Sequence, residues 1–313
     1  MRAARWRAAF VGLLVAVAFP VAFRGNAYLL NLATVILIYG VTGSSWNLLG
    51  GFAGQPSFGH AAFFGVGAYT FAVLFTDGGP WTVPGFAVGG VAALLVSLPI
   101  GLLIFRLRGP YFALSMLAFA EILRLVAQNW TSVTKGATGY MLNPSLIDKV
   151  AHYYLILAAL VALLATTATM ATCRSGFYFL AIREDQDVAE ALGVDAVAYK
   201  MLALAVSAFF TGLAGALYAN YFAYIEPTVV FSAVEISLAT YLIVVLGGMG
   251  TTMGPVVGSL VLTSVSEGFR VFTGSSNVLF YGILIVVVIL FMPDGVVGMA
   301  RSLVPRQTAR AAA

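Results

Sequence analysis

Apolar runs of membrane-spanning length, about 20 residues each, alternate along the chain with short breaks rich in Gly, Pro and charge. Candidate spans fall near 8–24, 27–48, 57–75, 84–105, 110–128, 151–172, 200–223, 232–249, 254–271 and 278–293. TDGGPWTVPG (76–85) and MPDG (292–295) typify the breaks. Strands of a membrane barrel would alternate apolar and polar positions over about 10 residues. The run Phe280–Met292 does not alternate. The pattern therefore predicts an all-α fold. It is a polytopic membrane helical bundle of about ten transmembrane helices by the span-length criterion, forming a single transmembrane domain over 1–313. The number drops to eight or nine if the segment near 50–60, which looks broken, is re-entrant.

Composition agrees with this reading. Charged residues make up 9% of the chain and hydrophobic ones 61%, where a soluble domain carries about 25% charged residues. The net charge of +4 gains meaning only from placement. With the amino terminus inside, ten spans put Arg2/Arg5/Arg7, Arg106/Arg108, Arg174/Arg183, Lys200 and Arg301/Arg306/Arg310 in the cytoplasm. Arg24, Arg124, Lys135, Lys149 and Arg270 remain scattered elsewhere. Both termini are then cytoplasmic. The first 23 residues resemble a signal peptide, but no small-x-small cleavage site follows, and the charge parity favours a retained span. The single Cys173 excludes an internal disulfide and a cysteine-based metal cluster, and is expected to be a small apolar filler.

Small residues recur every four positions in Gly85, Gly89, Ala93, Ser97 and Gly101, in Ala208, Gly212 and Ala216, and in Gly250, Gly254 and Gly258. Such stripes let membrane helices approach closely. They imply packing inside the bundle, with a subunit interface as the sharper alternative for one of them.

The stretch GGFAGQPSFGHAAFFGVGAY (50–69) interrupts an apolar region with glycines, Pro56 and three polar side chains. Proline lacks an amide hydrogen and clashes with the preceding turn. Non-helical backbone at membrane depth is tolerated only where protein or water covers it. Gln55, Ser57 and His60 are therefore candidates for lining a substrate pathway at a broken helix. A tight interhelical turn at the cytoplasmic edge fits the spacing equally well. His60 has no flanking carboxylate, and the only other histidine, His152, is distant, so no metal site is expected and a hydrogen-bonded structural histidine is favoured. Ser57 lacks the G-x-S-x-G surround of a hydrolase nucleophile. Nothing marks an enzyme.

Glu121 and Arg124 lie i, i+3 within a span, where charges pair or face a cavity. They are expected to form an intramembrane ion pair, either structural or part of a gate. The loop 173–200 is cytoplasmic on the charge rule. Asp187 and Glu190 have capping-box spacing, and Gly193 can end a helix, which predicts a short helix over 187–192. Ile182, Val188, Ala189 and Leu192 would give it apolar contacts, with Glu184, Asp185, Asp187 and Glu190 on an acidic outer side. Such a helix suits docking better than resting on an anionic leaflet.

Four fragments carry a resemblance along most of the chain. They are LLGGFAGQPSFGHAAFFGVGAYT, RLRGPYFALSMLAFAEILRLVAQNW, AIREDQDVAEALGVDAVAYKMLALAVSAFFTGLAGALYA and LGGMGTTMGPVVGSLVL. In this order they resemble the LivM-like permease family of ABC importers for branched-chain amino acids. The resemblance implies a multi-pass subunit of the bacterial inner (cytoplasmic) membrane. It implies pairing with a second, LivH-like permease subunit, two cytoplasmic ATP-binding subunits and an extracytoplasmic substrate-binding protein. ATP and Mg would bind the partner ATPase, with no cofactor bound by this chain. Within AEALG (189–193), Glu190, Ala191 and Gly193 resemble the loop by which importer permeases contact the ATPase, and Asp187 lies beside them. Leu192 departs from the family pattern.

Leucine, isoleucine and valine are the substrates implied; permeases for urea or short amides in the same family are the alternative. A self-contained secondary transporter is a further reading, opposed by the scarcity of buried carboxylates for ion coupling. The chain carries no G-x-x-x-x-G-K-[ST] phosphate loop, so any ATP hydrolysis would fall to other chains. The expected mechanism is alternating access, driven through the 187–192 helix and the span that starts near Lys200.

Overall fold

The computed structural model describes residues 2–23, 25–75, 82–143, 147–273, 295–296 and 298. Its long helices are α1 (Arg2–Ala22), α2 (Ala27–Asn47), α3 (His60–Leu74), α4 (Thr82–Ile104) and α5 (Pro110–Asn129). A single turn, α6 (Thr131–Thr134), is followed by α7 (Lys149–Thr172), and then by α8 (Arg174–Glu184) and α9 (Gln186–Ala191). The longest, α10 (Ala196–Phe222), leads to the short α11 (Pro227–Val230), then α12 (Ala239–Gly247) and α13 (Gly254–Thr273). Helices thus occupy each expected segment up to 254–271, and the expected span at 278–293 lies outside the described residues. Among the described residues, six helical stretches, the first Ala27–Phe52 and the last Pro227–Gly247, are long and apolar enough to cross a membrane, with Val11–Ala22 and His60–Leu74 as shorter apolar helices. The chain is an all-α, multi-pass membrane bundle.

Local sequence explains where the helices begin and end. Asn26 caps α2 by accepting from the Leu29 amide at 3.2 Å, and Asp195 caps α10 by accepting from Ala198 at 2.9 Å. Pro110 opens α5, where its missing amide costs no hydrogen bond. Two stretches are π-helical: Leu48–Phe52 after α2, and Ala233–Leu238 before α12. The third expected span starts three residues late, at His60, because Pro56 and the glycines around it hold 53–59 out of helix.

Two short strands add to the expected all-α picture. β1 (Tyr140–Met141) pairs antiparallel with β2 (Tyr224–Ile225), in the register Tyr140 to Ile225 and Met141 to Tyr224. They join the chain after α6 to the end of α10. The opposite end of the bundle carries α8, α9 and the α4–α5 turn, where Arg108 meets Asp187.

The stripes on α4 and α10 lie inside the bundle, whereas Gly250 of the third falls in the α12–α13 turn with a φ of 72° and only Gly254 and Gly258 stand on a helix. Gly85, Gly89, Ala93, Ser97 and Gly101 are all buried on α4. Gly89, Ala93 and Gly101 face α10, where a Cβ on Gly89 would stand 2.9 Å from that of Ala216 and one on Gly212 would run into Ala93, while Gly85 abuts Phe75 at the end of α3. A Cβ on Gly67 of α3 would enter the carbonyl of Gly212. Gly254 and Gly258 pack in the same way on Gly247 and Ile243 of α12. Cys173 departs from the expected filler role: it is exposed at the α7–α8 junction, beyond the packed helices.

Gly67→Val drives a branched side chain into the α10 backbone and should cost about 1–3 kcal/mol. Thermal unfolding in detergent should show a lowered midpoint. Gly268→Ala, where nothing lies within 4 Å of an added Cβ, should leave the midpoint unchanged.

Candidate functional site

The segment between α2 and α3 forms a knot of polar contacts. The Leu48–Phe52 turn ends with the Ala53 amide bonded to the Leu48 carbonyl at 3.3 Å and the Gln55 amide bonded to that of Leu49 at 3.0 Å. The chain then runs without regular structure to His60, which opens α3. Ser57 and His60 are fully buried, while Gln55 is half-buried and Pro56 exposed.

His60 stands at the centre of a relay. Its Nε2 lies 2.8 Å from Ser207 Oγ on α10, and its Nδ1 lies 3.2 Å from Ser57 Oγ. The Ser207 hydroxyl donates to the Ser45 carbonyl at 2.7 Å, so its oxygen accepts from His60 Nε2–H. The Gly59 amide donates to Ser57 Oγ at 3.2 Å, which leaves the Ser57 hydroxyl to donate to Nδ1. The directions agree throughout and assign the Nε2–H tautomer. Trp46 Nε1 donates to the Ser57 carbonyl at 2.6 Å. The Ala61 amide donates to Ser237 Oγ, in the second π-helical stretch, at 2.9 Å. Ser207 lies about three turns into α10, so the break carries the chain from one end of the bundle well into its interior. With both ring nitrogens and the Ser57 hydroxyl engaged, these two side chains are tied into packing; Gln55, bonded through Nε2 to the Gly54 carbonyl at 3.3 Å, keeps an open side.

A second set of contacts lies just below. Asn47 accepts from the Gly250 amide at 2.8 Å and donates to the Thr251 carbonyl at 2.9 Å. This fastens the end of α2 to the α12–α13 turn. Arg183 of α8 donates from Nη1 to the Gly51 carbonyl at 2.7 Å. Asn47, Arg183, Ser207 and Ser237 were not singled out by sequence, because each is an ordinary polar residue until the fold brings it to the break.

The loop helices differ from expectation in their details. A whole helix, α8, precedes the expected one, and α9 covers 186–191 rather than 187–192. Asp185, not Asp187, is the N-cap; its Oδ1 accepts from the Asp187 and Val188 amides at 2.9 and 3.1 Å. Asp187 is left in the first turn, where its charge suits the helix dipole. Gly193 takes a left-handed φ of +87° and closes α9, with its amide on the Glu190 carbonyl at 2.9 Å and that of Val194 on Ala189 at 3.0 Å.

Apolar contacts come from Ile182 and Ala189, buried together with Ala196. Val188 and Leu192, expected to join them, point outward at 55% and 81% exposure, as does Phe177 of α8 at 72%. The acidic side is largely partnered. Arg108 pairs with Asp187 and lies 3.6 Å from Glu190. Gln186 donates to Glu190 at 2.7 Å and accepts from the buried Lys200. Ala191 sits in the last turn.

Glu121 and Arg124 form a two-pronged pair on α5, with Arg124 Nε donating to Glu121 Oε2 at 2.9 Å. Half of the Glu121 side chain faces outward from the bundle. Among the described residues no group of three or more His, Cys, Asp or Glu side chains could hold a metal ion.

Residues 28–292 match the family model described as the branched-chain amino acid transport system / permease component. The chain belongs to this permease family. LivM, the high-affinity branched-chain amino acid transport system permease protein of Escherichia coli strain K12, is 30% identical over 322 aligned residues, spanning 92% of this chain and 74% of that protein. Its counterpart LivH from the same strain is 25% identical over 296 residues, spanning 86% and 94%. No solved structure matched significantly. The permease match takes in the break, the loop helices and the α12–α13 turn alike.

Ser207→Ala removes the acceptor of His60 Nε2–H and the donor to Ser45. Leaving a buried donor unpaired should cost about 1–3 kcal/mol, visible as a lowered unfolding midpoint of the purified permease. An unchanged midpoint would show that the relay contributes no stability.

Proposed function

We propose that the chain is the membrane-spanning subunit of an ATP-driven importer of branched-chain amino acids, forming the translocation path by alternating access. The observation that carries this reading is α9. It is a short helix capped at both ends, buried on one side through Ala189 and presenting Val188 and Leu192 outward. A loop helix that exposes apolar side chains while its acids Asp187 and Glu190 share Arg108 is shaped to be covered by another protein. In the importer reading that protein is one of two cytoplasmic ATP-binding subunits, which bind ATP and Mg. Asp187, Glu190, Ala191 and Gly193 then lie at the contact, and the α8–α9 end of the bundle faces the cytoplasm. The clustering of Arg106, Arg108, Arg174, Arg183 and Lys200 at that end supports this orientation in a bacterial inner membrane.

The ion pair on α5 supports a companion permease. Charges inside the bilayer face a bundle interior or a water-filled cavity rather than lipid. Glu121 is half exposed on the outer side of this chain and Arg124 is largely covered, so a second, LivH-like subunit would cover the open side of the pair, with the path between the two. In this reading Gln55, half-buried beside Pro56, is the polar side chain of the break that would meet a substrate, while Ser57 and His60 hold the segment that carries it. An extracytoplasmic binding protein would deliver leucine, isoleucine or valine. The substrate class rests on the names of the relatives, and urea or short amides remain the second choice.

Glu190→Lys reverses a charge at the proposed contact, and Gly193→Pro cannot adopt the left-handed φ. Each should abolish ATP-driven uptake of radiolabelled leucine in cells with the complete transporter, while immunoblots show the chain still inserted in the membrane. Wild-type uptake in both variants would remove the docking role of α9.

A further inference from the structure

The geometry points to Arg183 as the positioning residue that ties the loop helices to the broken segment, so that movement of α9 reaches 51–54 directly through α8. This rests on the importer reading above and adds a second route to the one that runs from α9 into α10 through Gln186 and Lys200.

Three observations place the link. First, α8 and α9 are packed together through Ile182 and Ala189, so Arg183 moves with the docking helix. Second, Arg183 closes on the break by backbone as well as side chain. A Cβ built on Gly54, whose φ is +69°, would stand 2.9 Å from the Arg183 Cα, so no larger residue fits between the two chains. Third, the guanidinium donates to the Gly51 carbonyl at 2.7 Å, one of the acceptors left unmatched where a helix ends. The same guanidinium would meet a Cβ on Gly250 at 2.7 Å from Nη1. Gly250 is already fastened to Asn47. One side chain of a loop helix therefore touches both interruptions of the bundle, the one after α2 and the one between α12 and α13. A shift of α8 either carries 51–54 with it or breaks a charge-assisted bond.

The test uses the complete complex in proteoliposomes: both permeases, both ATPases and the binding protein. In Arg183→Ala the ATPases should still co-purify and hydrolyse ATP within about twofold of wild type, while substrate imported per ATP falls at least about tenfold, the scale on which one charge-assisted hydrogen bond acts. Arg183→Lys, which keeps the charge but loses the planar fork, should fall between them. An unchanged ratio in Arg183→Ala overturns the assignment. Should that variant fail to assemble, Arg183→Lys is read by hydrogen exchange. Binding of a non-hydrolysable ATP analogue should alter exchange at 48–55 in wild type and less so in the lysine variant, and an equal response overturns the link. Absence of ATP-driven uptake by the wild-type complex would instead sink the importer reading, and the Arg183 role with it.

Discussion

A helix interrupted inside a membrane must find new partners for the backbone groups it frees, because lipid supplies none. That requirement organises this permease. Between Leu48 and Ala61 several of the freed groups are met by side chains, most of them from other elements. Trp46 serves the Ser57 carbonyl, Ser57 the Gly59 amide, Arg183 the Gly51 carbonyl and Ser237 the Ala61 amide. Asn47 does the same for the facing turn at Gly250. Because these partners lie on α2, α8 and the π-helical stretch before α12, satisfying one stretch of backbone fixes several helices relative to one another. His60 extends the scheme to α10 through Ser207.

The glycine stripes and the polar contacts serve the same end by different means. Along α3, α4 and α10 the backbones touch, and close packing replaces the hydrophobic drive that lipid cannot provide. Around the break the contacts are directional and few. The loop helices combine both styles: a small apolar core of Ile182, Ala189 and Ala196, and an outer network in which Arg108, Gln186 and Lys200 engage the acids.

Much of this was legible in the sequence. Apolar run lengths mark the helices α1 to α5, α7, α10, α12 and α13, since span length is set by the bilayer. Glycine spacing places α4 against its neighbours, and Pro56 with its glycines marks the break. Gly193 announces its left-handed turn, and the spacing of Glu121 and Arg124 announces their pair. What escaped depends on distant partners. Nothing local distinguishes Asp185 from Asp187 as a cap, since each is an acid at the start of the same short helix. Whether Val188 and Leu192 face in or out is decided by how α8 packs, and α8 carries little periodic signal of its own. Ser207 and Arg183 are far in sequence from the segment they hold, so only the fold reveals their part.

The exposed position of Cys173 carries one practical corollary. It is the sole thiol in the chain and stands on the surface at the junction between α7 and α8. A maleimide dye or spin label will therefore mark one known point in the unaltered polypeptide, ten residues ahead of Arg183, with no cysteine-free background to engineer first.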